Sequence, residues 1–309
     1  MVYSAKSDST GTMSQFTRRK RITITTGGTS TPANYQAKVT VAYDSIMQTA
    51  FQDIRFNTKS GGYIDYWIES KTDSVTADVW IELPDAITDP GSDYVWMYYG
   101  NTSLTSGSSG TNTFLFFDDF ADGEYTTNPA WTYIDGTVSA ANFYLATTGE
   151  AYATGGNIKI ASTIVTAVWE YKFQLTNTAI GNFVMFTPIW VSVGNFYYLW
   201  IHQNGTMNFR LVSGAIQSTI IASTWTADLN WHKAKITRNS SGYFEIFLDG
   251  VSKGTVTNTT HTTSAEMRVG NVGNLQTNTD DIRICNYIAN EPTSSIGTAQ
   301  HQRRTPQFL

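Results

Sequence analysis

From Ile22 onward the sequence is written in short runs whose apolar, β-branched or aromatic residues recur at every second position. RITITT, YQAKVTVAY, YIDYWIES, ADVWIELP, DYVWMYYGN, VWEYKFQL, NFYYLWIHQN, TMNFRLVS, WHKAKITR and YFEIFLDG all read this way, and each stops at Gly, Asn, Asp, Pro or Ser. A period of two places alternate side chains on opposite faces of a strand, and such stops are turn chemistry. Nothing reads as a helix longer than a turn or two. The chain is therefore expected to be all-β, with strands stacked into sandwiches that bury one face of each sheet.

A chain of 309 residues has room for two such sandwiches. Charged residues make up 15% and aromatic residues 14%, against about 25% charged in an average soluble domain. The surface must then be built largely from Ser, Thr, Asn and Gly, which suits an extracellular or particle-surface protein. A net charge of -5 argues against nucleic acid as a partner, because phosphate binding needs an excess of Lys and Arg. The basic run Arg18–Arg21 reads as a solvated strand entrance. No run of about 18 apolar residues exists to insert in a membrane. MVYSAKSDSTGTMSQ lacks the apolar core of a signal peptide, so the expected route out of the cell is a removed leader or release by lysis. Cys285 has no second cysteine to pair with and sits on the apolar phase of DIRICNYI, as a buried thiol would.

The texture divides the chain into a polar arm at 1–15, a first domain at 16–100, a Ser/Gly/Thr linker at 101–113, a second domain at 114–297 and a tail at 298–309. Arm and tail bury little apolar surface alone and are expected to order only against a neighbour, which points to self-association or to contact with other virion or envelope proteins. FQDIRF, YWIES, VWIELP and YVWMYYGN, followed by FFDDF, resemble the DUF2341 family over about residues 16–113. That resemblance implies a β-sandwich and brings no catalytic residue. WHKAKITR followed by YFEIFLDG, with DDIRICNYIANEP at the end, resembles the concanavalin A-like lectin/glucanase superfamily, in particular its laminin-G-like members. The resemblance implies a jelly roll for the second domain, a fold that hosts many functions.

Three kinds of chemistry can be sought in the residues. A glycoside hydrolase needs two carboxylates about 5 to 10 Å apart across the bond it cuts, but Glu170 and Glu245 each stand alone, as solvent-facing partners for Lys172 or Lys233. No Gly-x-Ser-x-Gly elbow occurs, and the four histidines lack metal-ligand spacing. His232, beside Trp231, reads as a packing residue. The second kind is a metal site. Asp118 and Asp119 on the first strand of the second domain, and Asp280 and Asp281 on its last, are either solvated strand ends or ligands for a structural calcium ion. With Phe117 and Ile282 turned to the core, Asp119 is the preferred ligand and Asp280 or Asp281 its partner, on strands expected to lie side by side.

The third is a binding face. If Gly194-Asn195 and Asn204-Gly205 are two-residue turns, Val191, Val193, Tyr198, Trp200, His202, Met207, Phe209 and Leu211 form the core side. Trp190, Ser192, Tyr197, Leu199, Asn208 and Arg210 then face outward. Rings interleaved with hydrogen-bonding groups stack on sugars and read their hydroxyls, so Trp190, Tyr197, Asn208 and Arg210 are the ligand-binding candidates. The expected function is a non-enzymatic surface or virion structural protein, of decoration, spike or fibre type, whose lectin-like domain adheres to glycans. A secreted or envelope-attached carbohydrate-binding adhesin is the alternative, and a glycoside hydrolase or lyase the third reading.

Overall fold

The computed structural model describes residues 13–301 except 142–143, 150–156, 179–180, 182 and 272. Most of the polar arm and of the tail lies outside the described residues. The chain forms two units, one from Met1–Phe114 together with Ile288–Leu309, the other from Leu115–Tyr287. Both are β-sandwiches, as the period of two requires.

In the first unit one sheet runs in the order Thr293–Ile296, Arg18–Thr25, Ser92–Tyr99, Arg55–Asn57, Tyr63–Ile64, with Gln300–His301 also beside Arg18–Thr25. The other sheet is Tyr35–Ala42, Thr76–Leu83, Tyr66–Thr72. Alternation along Thr76–Leu83 turns Ala77, Val79, Ile81 and Leu83 inward, where they meet Ile22, Ile24, Val39, Val41 and Met97.

Two expected boundaries are corrected here. Thr293–Ile296 pairs antiparallel with Arg18–Thr25, Ile22 opposite Ile296 and Thr25 opposite Thr293, and Ile288 packs on the first core. The second domain therefore ends at Tyr287 rather than at 297. Residues 101–113 are not a free linker either, because polar groups buried in the first unit hold them. Asp53 accepts from the amides of Gln48 at 2.9 Å, Gly100 at 2.7 Å and Asn101 at 3.0 Å. Gln48 donates to the carbonyls of Asn101 and Leu104 at 2.9 and 2.8 Å. The Arg55 guanidinium donates to the carbonyls of Gln52, Ile54 and Thr105 and to the Tyr66 hydroxyl, which in turn accepts from the Gly107 amide. Gly100, at φ +84 and where a Cβ would stand 2.0 Å from the Thr17 hydroxyl, admits no side chain. The motif residues Asp53, Arg55 and Gly100 thus set the course of the chain leaving YYGN.

The second unit is a two-sheet jelly roll with antiparallel pairing throughout its named strands. An eight-stranded sheet runs Thr137–Ser139, Leu145–Gly149, Gly273–Cys285, Ala167–Leu175, His232–Arg238, Tyr243–Leu248, Val251–Thr257, with Phe116–Asp118 also paired to Gly273–Cys285. The facing sheet runs Ile216–Thr224, Thr206–Ser213, Asn195–His202, Phe183–Ser192, Glu266–Asn271, Ile158–Ala161, Thr132–Tyr133. Trp169, Tyr171 and Phe173 of the first sheet meet Phe186, Tyr197, Leu199 and Phe209 of the second, and the Tyr171 ring stacks on Phe186 at 4.4 Å between centroids. The first and last strands of the unit lie side by side as expected, with Ile282 opposite Asp118. Cys285 is buried.

The Asp53 clamp supplies a direct test. Asp53 is wholly buried, and a buried amide left without its acceptor costs about 1 to 3 kcal/mol. Asp53→Ala orphans three, so chemical denaturation should show a loss of at least about 3 kcal/mol for the cooperative unit that contains it.

Candidate functional site

The outer face of the seven-stranded sheet is set by two hairpins. At the first, Ser192 pairs with Asn195, so the loop is Val193-Gly194, one residue earlier than the expected Gly194-Asn195. At the second, Ile201 pairs with Met207 and Trp200 with Asn208, which leaves a three-residue loop closed by Gly205 at φ +87, with its amide on the His202 carbonyl. Together these shift the register by one and turn every side chain of Asn195–His202 over. Tyr197, Leu199 and Ile201 enter the core, while Phe196, Tyr198, Trp200 and His202 face outward. Tyr197 is thereby removed from the candidate set: it is fully buried, and its hydroxyl donates to Asn258. Trp190, Asn208 and Arg210 face outward as expected, and Tyr198 and Trp200 join them.

These rings form one continuous array. Trp190 stacks on Phe196 at 4.4 Å, Phe183 meets Trp200 edge-on at 5.3 Å, and His202 stacks on Phe183 at 5.2 Å. Two guanidinium groups lie over indoles, Arg210 at 3.4 Å from the Trp200 centroid and Arg268 at 3.2 Å from Trp190, the spacing of a cation–π contact. Arg268 is held by Glu266, which also takes the Lys159 ammonium at 2.7 Å. Burial raises the Glu266 carboxyl, but hydrogen bonds and charge from Lys159 and Arg268 win and hold it below the usual range. Arg210 donates to the Tyr198 hydroxyl at 3.3 Å, and that hydroxyl donates to Gln217 at 2.7 Å. Burial and the nearby Arg210 charge depress the His202 imidazole, and a side-chain hydrogen bond with Asn204 opposes them. Trp200 and Asn208 are half-buried, so this end of the array is open to a ligand.

The outer face of the eight-stranded sheet is ordinary by comparison, carrying Lys172, Lys235 and Glu245. Glu170 is the exception. It is buried and ion-paired with the fully buried Arg283 directly opposite, not a solvent-facing partner of Lys172. Removing one member of such a pair costs about 3 to 5 kcal/mol, so its place is explained by stability. Glu245 accepts from the Ser252 hydroxyl. His232 lies between Asp249 at 2.7 Å and Asp228 at 2.9 Å and stacks on Phe173. Burial disfavours its charged form, but the two carboxylates prevail and raise its pKa.

The four aspartates are brought to neighbouring strand ends, yet in a different phase from the expected one. Phe116, Asp118 and Phe120 face the core side and Phe117 does not, so Asp118 rather than Asp119 is the inward carboxylate. Its oxygens accept from the Trp131 indole at 2.7 Å and the Phe120 amide at 2.8 Å. Asp281 sits in a bulge at φ +48 and pairs with Lys172. Among the described residues no group of three His, Cys, Asp or Glu side chains is placed to hold a metal ion. Asp118, Asp119, Asp280 and Asp281 do not form such a group among the described residues. Desolvation pushes both Asp118 and Asp280 up to about 7, helped at Asp280 by the charges of Asp281 and Asp119.

The DUF2341 family model, a domain of unknown function, matches residues 50–134. No curated protein matches the chain. Among solved structures the chain is similar to the carbohydrate binding module CBM66 from Bacillus subtilis, at 13% identity and TM-score 0.43 over 50% of this chain and 94% of that one. It is also similar to the carbohydrate recognition domain of Emp47p, at 9% identity and TM-score 0.42 over 56% and 95%. The glycoside hydrolase BlXynB from Bacillus licheniformis is matched at 14% identity and TM-score 0.47, with 79% of this chain spanning 57% of that one.

A pH dependence follows from the carboxyls. Acids whose folded pKa lies above the unfolded value hold protons more tightly when folded, so their contribution is complete below about pH 4 and is lost as pH rises toward 7. The raised His232 acts in the same direction at the upper end of that window. Melting temperature should therefore fall between pH 5 and pH 8. In Asp280→Asn, which removes one of the like charges, the fall should be smaller and the variant should melt above wild type at pH 8. An unchanged slope would show that Asp280 does not titrate in this range.

Proposed function

We propose that the second unit is a glycan-binding module that uses the outer face of its seven-stranded sheet, in a non-enzymatic protein displayed on a cell envelope or virion surface. The observation that carries this reading is the composition of that face. An ordinary solvent face of a sheet is built from Thr, Lys and Glu, whereas this one sets the half-buried Trp200 and Asn208 beside the buried Trp190, Phe196, Tyr198, Arg210 and Arg268. Apolar ring faces stack on the C–H side of a pyranose, and planar polar groups between them fix its hydroxyls. A sheet face of this width suits an extended oligosaccharide. Display at a surface is supported by the low charge content of 15% and the wealth of uncharged polar residues. The non-enzymatic part is supported by the commitments of the two glutamates, Glu170 to Arg283 and Glu245 to Ser252.

The test is a polysaccharide panel in affinity gel electrophoresis, followed by calorimetry on the best oligosaccharide. Trp200→Ala and Asn208→Ala should each weaken binding at least tenfold without lowering the melting temperature by more than a few degrees. Lys235→Ala, on the opposite sheet, should bind as wild type. Binding that survives both face variants, or release of reducing ends from the bound polymer, would contradict the proposal.

A further inference from the structure

We propose that the glycan taken by this face is acidic, carrying a carboxylate or sulfate, and that Arg210 is the residue that reads the anion. The inference rests on the glycan-binding assignment above and concerns the class of sugar.

The two arginines of the array are treated differently by the fold. Arg268 is neutralised by Glu266, with its Nε and Nη2 at 2.9 and 2.6 Å from one carboxylate oxygen. Arg210 is more than nine-tenths buried, yet among the described residues no carboxylate forms an ion pair with it. Among the described residues its one hydrogen bond is to a neutral phenol, at a long 3.3 Å, and its Nε has no partner. The indole nitrogen of Trp200, under the same guanidinium, also has none among the described residues, and both nitrogens are buried. The cation–π contact with Trp200 offsets only part of the cost of burying a charge.

A guanidinium without its acid, beside an unused indole N–H, is a set of donors with no acceptor. An anionic group supplies what is missing. Arg binds carboxylates and sulfates through its planar donor fork, and the ring of the same sugar can lie against the exposed edge of Trp200 next to Asn208. The titratable and charged groups nearest the site set no net negative charge against an anion. His202 lies on the adjacent strand, two residues beyond Trp200, and is held toward its neutral form. Arg268 lies two strands beyond that of His202 and Lys159 three, and they share Glu266.

The experiment is calorimetric titration of the full chain with three probes: an oligogalacturonate, an oligosaccharide of sulfated galactan, and a neutral galacto-oligosaccharide of equal length. Each is run at low and at physiological ionic strength, on wild type, Arg210→Lys and Arg210→Met. At least one of the acidic probes should bind tenfold or more tighter than the neutral one, and which of them does so distinguishes carboxylate from sulfate. Arg210→Met should bring that probe down to the neutral level, while Arg210→Lys should keep part of the salt-dependent preference. Equal affinity for acidic and neutral probes, with Arg210→Met unaltered, would overturn the inference and leave glycan binding standing. Absence of binding by every probe would overturn the inference, and binding to other neutral polymers in the panel would show that the glycan-binding face survives it.

Discussion

The second unit depends on the phase of one strand. Because strand side chains alternate strictly, the turns on either side of Asn195–His202 decide whether Tyr197 and Leu199, or Tyr198 and Trp200, enter the core. The Val193-Gly194 loop and the three-residue loop closed by Gly205 select the first pair. That choice has consequences on both sides of the sheet. Inward, Tyr197 meets Phe209 and Phe244 at 5.9 and 4.9 Å and gives its hydroxyl to Asn258. Outward, Tyr198 and Trp200 come level with Arg210 and Asn208, and the array is complete.

Much of the architecture is legible from local pattern. The all-β class, the two sandwiches, the adjacency of Phe116–Asp118 with Ile282–Ile284 and the buried Cys285 all follow from periodicity and texture. So do the outward positions of Trp190, Asn208 and Arg210. What local pattern misses is of two kinds. One is loop length: Asn204-Gly205 reads as a two-residue turn, but a glycine at positive φ serves equally as the closing residue of a three-residue loop, and a one-residue difference inverts a whole strand. A signal was present in the alternative phase, since Tyr197, Leu199 and Ile201 continue the apolar set of Met207, Phe209 and Leu211 at least as well as Tyr198, Trp200 and His202.

The other kind is long range. Residues 101–113 look like a flexible joint by composition, and nothing nearby reveals that Gln48, Asp53 and Arg55 hold their backbone from about fifty positions upstream. Thr293–Ile296 looks like the end of the second domain because it follows it in the chain, yet its partner lies at Arg18–Thr25. The aspartates combine both failures. Their neighbourhood is legible, but the bulge at Asp281 and the indole of Trp131, which captures Asp118, are not.

Whether a sugar docks on the outward face of the seven-stranded sheet decides the function of the second unit. The most direct measurement is the indole N–H spectrum of the 15N-labelled protein during titration with an oligogalacturonate. The Trp200 resonance, whose N–H has no acceptor among the described residues, should shift progressively with Trp190, while the core Trp169 stays in place as the internal control. Saturation of binding with Trp200 and Trp190 unmoved, and shifts confined to Trp67, Trp80 or Trp96 of the first unit, would contradict it.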